Sequence, residues 1–134
     1  MIYLLDTNVI SDLSRNVSIV VANRNQKLRQ GHSLVLCLPV YYESLRGLLK
    51  KKATSQIVGL NALKAALEWQ VAIEQDWLEA TQLWANADNK GKRLSDIDIL
   101  IAAIALRLNA TLVSSDTDFD VLPIKREDWR VATS

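Results

Sequence analysis

The chain has 134 residues, which is the length of one domain rather than two. Hydrophobic residues make up 49% and charged residues 23%, an ordinary globular balance that excludes a disordered, collagen-like or low-complexity chain. The net charge of +1 hides an asymmetry: residues 1–70 carry 9 Lys/Arg and 4 Asp/Glu, whereas residues 71–134 carry 7 and 11.

Nothing in the sequence indicates export or membrane insertion. Asp6 follows only a few apolar residues and no basic segment precedes them, so an export signal is not expected. The longest uncharged stretch, residues 30–42, is shorter than the ~20 residues of a membrane span. Cys37 lies in an apolar run, which indicates a small buried side chain in a reducing compartment. We therefore expect a cytoplasmic protein without a membrane segment.

The apolar spacing predicts strands that alternate with helices. Short apolar runs predict buried strands at residues 2–5, 33–38 and 110–114, and a fourth, edge strand at residues 121–124. Helical spacing begins near residue 9 and continues over 17–29, 40–52, most of 54–90, and 97–108. This alternation is typical of parallel pairing with right-handed crossovers. The expected fold is a single α/β domain over residues 1–134, a three-layer α/β/α sandwich with a short, mostly parallel sheet.

Four carboxylates fall close to the predicted strand ends. Asp6 and Asp116 directly follow the first and third strands, Glu43 lies in the first turns of the helix after the second strand, and Asp98 begins the helix that leads into the third. The active crevice of such sheets lies at the carboxyl ends of the strands, so these residues are expected at one edge. Clustered carboxylates raise one another's pKa unless a cation neutralises them, and oxygen ligands suit Mg²⁺ or Mn²⁺. The pattern predicts metal-dependent phosphodiester hydrolysis.

Each carboxylate also has a purely structural explanation. The alternatives are a helix cap for Asp6, surface pairing of Glu43 with Arg46 or Lys50, a capping box of Ser95 with Asp98, and a turn shaped by Asp116. Their joint placement at one edge favours the metal site. Gly47, inside a predicted helix, costs ~1 kcal/mol, which indicates that space is needed beside Glu43.

Asp96 and Asp118 compete for the same roles. Residues two apart on a helix point about 200° apart, so Asp96 and Asp98 are not expected to serve one metal equally. Asp98 is preferred because Ile101, one turn later, anchors its neighbourhood to the core. For the metal ligand after the third strand, the sequence favours Asp116 over Asp118 only narrowly.

Four segments resemble the motifs of the PIN domain family. They are Leu-Leu-Asp-Thr-Asn-Val-Ile at residues 4–10, Glu-Ser-Leu-Arg-Gly at 43–47, Asp-Ile-Leu-Ile-Ala-Ala-Ile-Ala at 98–105, and Leu-Val-Ser-Ser-Asp-Thr-Asp-Phe at 112–119. The fourth has Ser114 where the family more often has threonine. The match covers nearly the whole chain in family order, and its size and layout most resemble the VapC-type toxins of bacterial toxin–antitoxin pairs.

The resemblance implies a Mg²⁺/Mn²⁺-dependent endoribonuclease that blocks translation by cutting RNA. It also implies a cognate antitoxin that covers the active groove. The catalytic and metal-binding roles fall on the four carboxylates: Asp6, Glu43, Asp98 and Asp116. Residues expected to orient those carboxylates or water are Thr7, Asn8, Ser114 and Asp118.

Two basic clusters and a group of tryptophans are open to more than one interpretation. One cluster is Arg46 with residues 50–52, and the other is Lys90 with Lys92 and Arg93. Each cluster either contacts an RNA backbone or is a solvated helix end. Trp69, Trp77 and Trp84 lie in one predicted helical region, and the last two share a helix face. Core packing or a homodimer interface is expected there, with antitoxin docking as the alternative.

Two other functions fit part of the pattern. A PIN-like domain that binds RNA or a protein partner without cleavage would have the same fold. A phospho-receiver domain also gathers aspartates around Mg²⁺, but it requires an aspartate after a middle strand, where this sequence has Cys37, Leu38 and Pro39.

Overall fold

The computed structural model describes residues 1–131, in which strands and helices alternate. The strands are β1 (Ile2–Leu5), β2 (Ser33–Cys37), β3 (Glu68–Gln70), β4 (Thr111–Val113) and β5 (Lys125–Glu127). The helices are α1 (Thr7–Ser14), α2 (Ser18–Arg29), α3 (Leu38–Lys50), α4 (Thr54–Ala66), α5 (Glu74–Asn89) and α6 (Asp96–Leu108). A short 3-10 helix, Thr117–Val121, precedes β5. Within the same residues, no helix is both long and apolar enough to cross a membrane.

The five strands form one sheet in the order β3-β2-β1-β4-β5. Every pair is parallel, and in the centre Tyr3 lies opposite Leu34 on one side and Thr111 on the other. The α/β class is therefore confirmed, with a wholly parallel sheet where a mostly parallel one was expected. The chain runs from β1 through β2 to β3 on one side and then crosses to β4 on the other. Ligands of such sheets bind at this reversal, outside the carboxyl ends of the two strands.

The core lies around the three central strands and α6. Every residue from Ile99 to Ala105 is buried, because α6 packs against α5, α3 and β4. Truncating a fully buried side chain such as Ile104 to alanine costs about 2–5 kcal/mol of stability, so these contacts hold α6 against the sheet. Cys37 is buried as expected, and burial raises the pKa of its thiol to about 12.

The predicted helical stretch over residues 54–90 is interrupted. Residues 68–70 form edge strand β3, paired with β2, so Trp69 does not share a helix with Trp77 and Trp84. The Trp69 ring packs edge-on against Tyr41 on α3, with 5.7 Å between ring centroids. Three residues are too few to show a strand period, so only pairing with β2 determines this element.

The predicted edge strand at residues 121–124 is wrong. Val121 ends the 3-10 helix, Leu122 is buried, and Pro123 has no N–H to donate to a strand ladder. The actual edge strand, β5, begins at Lys125 and pairs with β4. The side chains of β5 are charged, as is common in an edge strand that is partly exposed to solvent. The prediction from apolar residues therefore selected residues 121–124 instead of β5.

Candidate metal centre

Three of the four predicted carboxylates meet at the carboxyl edge of the sheet. Asp6, Glu43 and Asp98 each offer a carboxylate oxygen, and these oxygens all lie within 4.8 Å of one another. Asp6 follows β1 directly, Glu43 lies on α3, and Asp98 lies in the first turn of α6. Three elements that are distant in sequence thus contribute one ligand each to an oxygen-only donor set.

Asp6 is the buried member of this cluster. Its backbone N–H donates to the carbonyl of Val113 at 3.0 Å, which extends the pairing of β1 and β4 to the site. Its Oδ2 accepts hydrogen bonds from the Ser114 hydroxyl at 2.8 Å and the Asn8 amide at 3.2 Å. The Oδ1 is buried without a hydrogen-bond partner, and the side chain makes no capping bond to α1. Asp6 is the N-cap residue of α1 without a side-chain capping bond, and its unpaired carboxylate oxygen is available to a cation.

The pKa of Asp6 is raised from its ordinary value. Burial is the largest cause, and the hydrogen bond from Ser114 opposes it. The negative charges of Glu43 and Asp116 raise the pKa of Asp6 further. A cation beside these oxygens reverses the effect because it favours the charged carboxylate.

Ser114 ties the ends of β1 and β4 together. Its buried hydroxyl donates to Asp6 and accepts from the Asn8 amide at 3.1 Å and the Asp116 N–H at 3.0 Å. The side-chain Oδ1 of Asn8 accepts in turn from the Ser115 N–H at 3.3 Å. Asn8 and Ser114 thus both contact the Asp6 carboxylate, and their role in orienting it stays a prediction.

Arg126 supports the same loop and was not recognised from the sequence. Its guanidinium donates to the Ser114 carbonyl at 3.0 Å and to both carboxylate oxygens of Asp120, at 2.7 and 3.0 Å. Arg126 lies on β5, so only the pairing of β5 with β4 brings it to this loop. Its sequence neighbours give no signal of that role.

Glu43 is held from the first turn of α1. The Thr7 hydroxyl donates a hydrogen bond to Oε1, and the Arg46 guanidinium lies 3.8 Å from Oε2. Glu43 therefore forms the expected surface pair with Arg46 and also belongs to the carboxylate cluster. A Cβ at Gly47 would meet no heavy atom within 4 Å, so the space beside Glu43 is open rather than filled by a packed side chain.

Asp98 carries the second raised pKa of the cluster. The Ser95 hydroxyl accepts from the Asp98 N–H at 3.1 Å, so Ser95 caps α6 as predicted. Burial first, and then the charge of Asp6, raise the pKa of Asp98 to about 6. Asp96 is exposed and lies outside the three-carboxylate cluster, in agreement with the opposed directions expected for the two side chains.

Asp116 and Asp118 lie beside the cluster rather than in it. Asp116 caps the 3-10 helix, and its Oδ1 accepts from the Asp118 N–H at 2.9 Å. It is near enough for its charge to raise the pKa of Asp6 and of Asp98. The carboxylate of Asp118 pairs with the Lys92 ammonium at 2.6 Å, so Lys92 neutralises a carboxylate of this chain.

Trp77 and Trp84 are not core residues. Their side chains are 56% and 39% exposed on the outer face of α5, so the core interpretation is wrong. A shallow pocket between them and Asp96 continues onto Leu100 of α6. The homodimer interface expected of these residues stays a prediction.

A family model described as the PIN domain matches residues 3–125. The chain is also similar to a curated relative, Ribonuclease VapC1 of Haemophilus influenzae (strain R2866). The two sequences are 30% identical over 96% of this chain and 98% of the relative. The likeness therefore extends over essentially the full length of both chains.

Solved structures of similar fold include two VapBC assemblies. VapBC2 from Rickettsia felis, bound to a DNA fragment from its promoter, has a TM-score of 0.86 and 26% identity, covering 96% of this chain and 99% of that one. VapBC-1 from nontypeable Haemophilus influenzae has a TM-score of 0.84 and 27% identity, covering 98% and 100%.

Proposed function

Since this chain belongs to the PIN domain family, we propose that it is an endoribonuclease and the toxin of a type II toxin–antitoxin pair. It hydrolyses RNA phosphodiester bonds and thereby blocks translation. Its 30% identical relative is named a ribonuclease, and its two structural relatives are VapBC assemblies. The observation that carries the proposal is the three-carboxylate cluster, in which a buried oxygen of Asp6 has no partner.

The residues of the cluster fit a divalent cation. The donor set consists only of carboxylate oxygens, the ligands that Mg²⁺ and Mn²⁺ prefer. Asp6, Glu43 and Asp98 would hold the ion, and we assign Asp116 to the same site as the adjoining carboxylate. When bound, the ion supplies the positive charge that activates water and neutralises the phosphodiester in in-line attack.

The residues around the cluster keep the carboxylates in position. Ser114 and Asn8 donate to Oδ2 of Asp6, which leaves its Oδ1 without a hydrogen-bond partner. Thr7 fixes the carboxylate of Glu43 from α1. Because these orienting groups lie on structural elements whose ends are joined by hydrogen bonds, the donor oxygens are placed before any ligand arrives.

Asp118 supports the site without binding the ion itself. Its pair with Lys92 joins the loop after β4 to the segment before α6, and its N–H fixes Asp116. The single-domain organisation over residues 1–134 is part of the proposal, since the family match runs over residues 3–125.

The partners follow from the same proposal. The substrate is RNA, and a cognate antitoxin inhibits by covering the acidic groove, as a partner in an assembly of the VapBC kind. The pair acts in the cytoplasm, where RNA and antitoxin are made, and the toxin assembles as a homodimer. A domain that binds RNA or protein without cleavage is not favoured, because no carboxylate of the set is missing.

The test is RNA cleavage by the purified protein. We expect a labelled single-stranded RNA to be cut in Mg²⁺ or Mn²⁺ and left intact in EDTA. Asp6→Asn should abolish cleavage without unfolding the protein, whereas Asp96→Asn, which alters an exposed carboxylate outside the cluster, should keep it. Expression should arrest growth, and a co-expressed antitoxin should relieve the arrest. Full cleavage by Asp6→Asn, or in EDTA, would contradict the proposal.

A further inference from the structure

A groove of about 200 Å³ lies between α1, α3 and α4, beside the acid cluster. One end is formed by Thr7 and Glu43, which are hydrogen-bonded to each other, so the groove opens directly onto the proposed scissile position. A chain that passes over the carboxylates can therefore enter this groove.

The walls combine an apolar floor with polar sides. Ile10 and Leu60 form a buried, rigid floor. The polar sides include Ser11 and Ser44, and the buried Oγ of Ser44 has no hydrogen-bond partner. A ligand suited to this lining has a flat or apolar part and several hydrogen-bonding atoms, as a nucleotide has.

The groove is also lined by two cations. They are Arg15, whose side chain is 62% exposed, and Lys51. Arg15 binds buried Asp12 at 3.0 Å, but Asp12 also accepts two hydrogen bonds from Arg130, at 2.7 and 3.2 Å. Arg15 is therefore not needed to neutralise Asp12. Lys51 has no ion pair within residues 1–131.

Gly47 keeps this groove open. It lines the groove one helical turn after Glu43, and a Cβ there would meet no heavy atom within 4 Å. A larger side chain would extend into the groove rather than into the protein. Because Gly47 lines the groove, its missing side chain leaves that part of the groove unfilled.

We propose that this groove, defined by Ile10, Arg15, Ser44, Gly47 and Lys51, is a nucleotide subsite for the RNA strand beside the scissile phosphate. The inference rests on the proposed ribonuclease function. Arg15 and Lys51 bind phosphate oxygens, and Gly47 makes room for the sugar and base. Within the described residues, Glu43 is the only carboxylate that lines the groove, and the other charged lining residues are the cations Arg15 and Lys51, which suit a polyanion.

The test measures RNA binding in a background that cannot cut. Single-stranded RNA is titrated against Asp6→Asn protein in Mg²⁺ across a range of salt concentrations. Adding Lys51→Ala or Arg15→Ala should weaken binding several-fold and reduce the slope of log affinity against log salt by about 0.7 for each lost phosphate contact. The matched controls are Lys125→Ala and Arg29→Ala, exposed cations on β5 and at the end of α2 that should leave affinity unchanged.

A steric variant separates the groove from general charge. Gly47→Leu should fill the groove, weaken RNA binding and slow cleavage in the otherwise wild-type protein. Gly59→Leu is its control, because Gly59 also lies in a helix where a Cβ would meet no heavy atom within 4 Å, but does not line the groove. Circular dichroism and urea unfolding establish that both variants fold.

The outcomes distinguish this inference from the function on which it rests. If Gly47→Leu and Lys51→Ala bind and cut RNA like their controls while Asp6→Asn abolishes cleavage, the subsite is wrong and the ribonuclease stands. If the groove variants lose antitoxin binding but keep RNA binding, the groove serves the protein partner and the inference is also overturned. If the wild-type protein never cleaves RNA with Mg²⁺ or Mn²⁺, the proposed function itself fails.

Discussion

Removal of the Asp98 charge should stabilise the metal-free protein at neutral pH. Burial and the charge of Asp6 raise the pKa of Asp98 from 3.8 to about 6. The folded state therefore binds a proton that the unfolded state has lost, and stability falls as pH rises through this interval. Above a pH of about 6 the loss of folding stability caused by the charged Asp98 is constant. The variant Asp98→Asn has an uncharged amide and avoids this loss.

The magnitude follows from the same pKa. A rise from 3.8 to about 6 corresponds to about 3 kcal/mol at 1.36 kcal/mol for each pKa unit. Asp98 is half exposed, so solvent screening reduces the repulsion to about 1–2 kcal/mol. Loss of a negative charge near the start of α6 costs ~0.5 kcal/mol, which leaves a net gain of about 1 kcal/mol.

The assay is urea unfolding in EDTA, with Asp96→Asn as the matched control. Asp96 lies in the same helical turn but outside the cluster, so its variant reports the helix-terminus contribution alone. The advantage of Asp98→Asn should fall by more than half at a pH of about 4.5, where native Asp98 is protonated. In Mn²⁺ the order should reverse, because the ion stabilises the wild-type cluster, and more so above pH about 6. If Asp98→Asn is no more stable than Asp96→Asn at neutral pH in EDTA, burial and the neighbouring charges do not disfavour the Asp98 carboxylate as described.

Three further outcomes are expected. Thr7→Val should reduce cleavage about 10–100-fold with little change in stability, because Glu43 loses the hydroxyl that orients it. Single-turnover kinetics in Mn²⁺ would measure the cleavage rate, and an unchanged rate would contradict this role of Thr7. Arg107→Met should lower the free energy of unfolding in urea by about 3 kcal/mol, because buried Asp76 loses its 2.8 Å ion-pair partner, and should leave cleavage per folded molecule unchanged. A decrease below ~1 kcal/mol would be inconsistent with an uncompensated buried charge. Trp77→Ser should convert a dimer to a monomer in analytical ultracentrifugation, since this side chain is 56% exposed; an unaltered mass would place the interface elsewhere.

The local sequence determined where the ligands of the site would fall. Asp6 follows an apolar run short enough to be a buried strand, and Glu43 follows Pro39 at the start of a helix. Both relations are local, so chain order and the parallel-sheet rule were sufficient to expect these carboxylates at one edge. Capping of α6 by Ser95 is equally local, and the structure contains it.

Tertiary structure decided what depends on pairing between distant segments. Strands β3 and β5 are short edge strands whose composition carries no strand period, so their neighbours β2 and β4 define them. The same pairing brings Arg126 to the carbonyl of Ser114, a contact that no motif signals.

The charge asymmetry of the sequence also acquired its meaning only in three dimensions. The sequence by itself determined that residues 1–70 carry the excess of cations and that carboxylates cluster near strand ends. It did not determine that Arg15 and Lys51, which are distant in the chain, line one groove together with Glu43. Helix packing sets that arrangement, because α1, α3 and α4 meet only when their apolar faces are buried together.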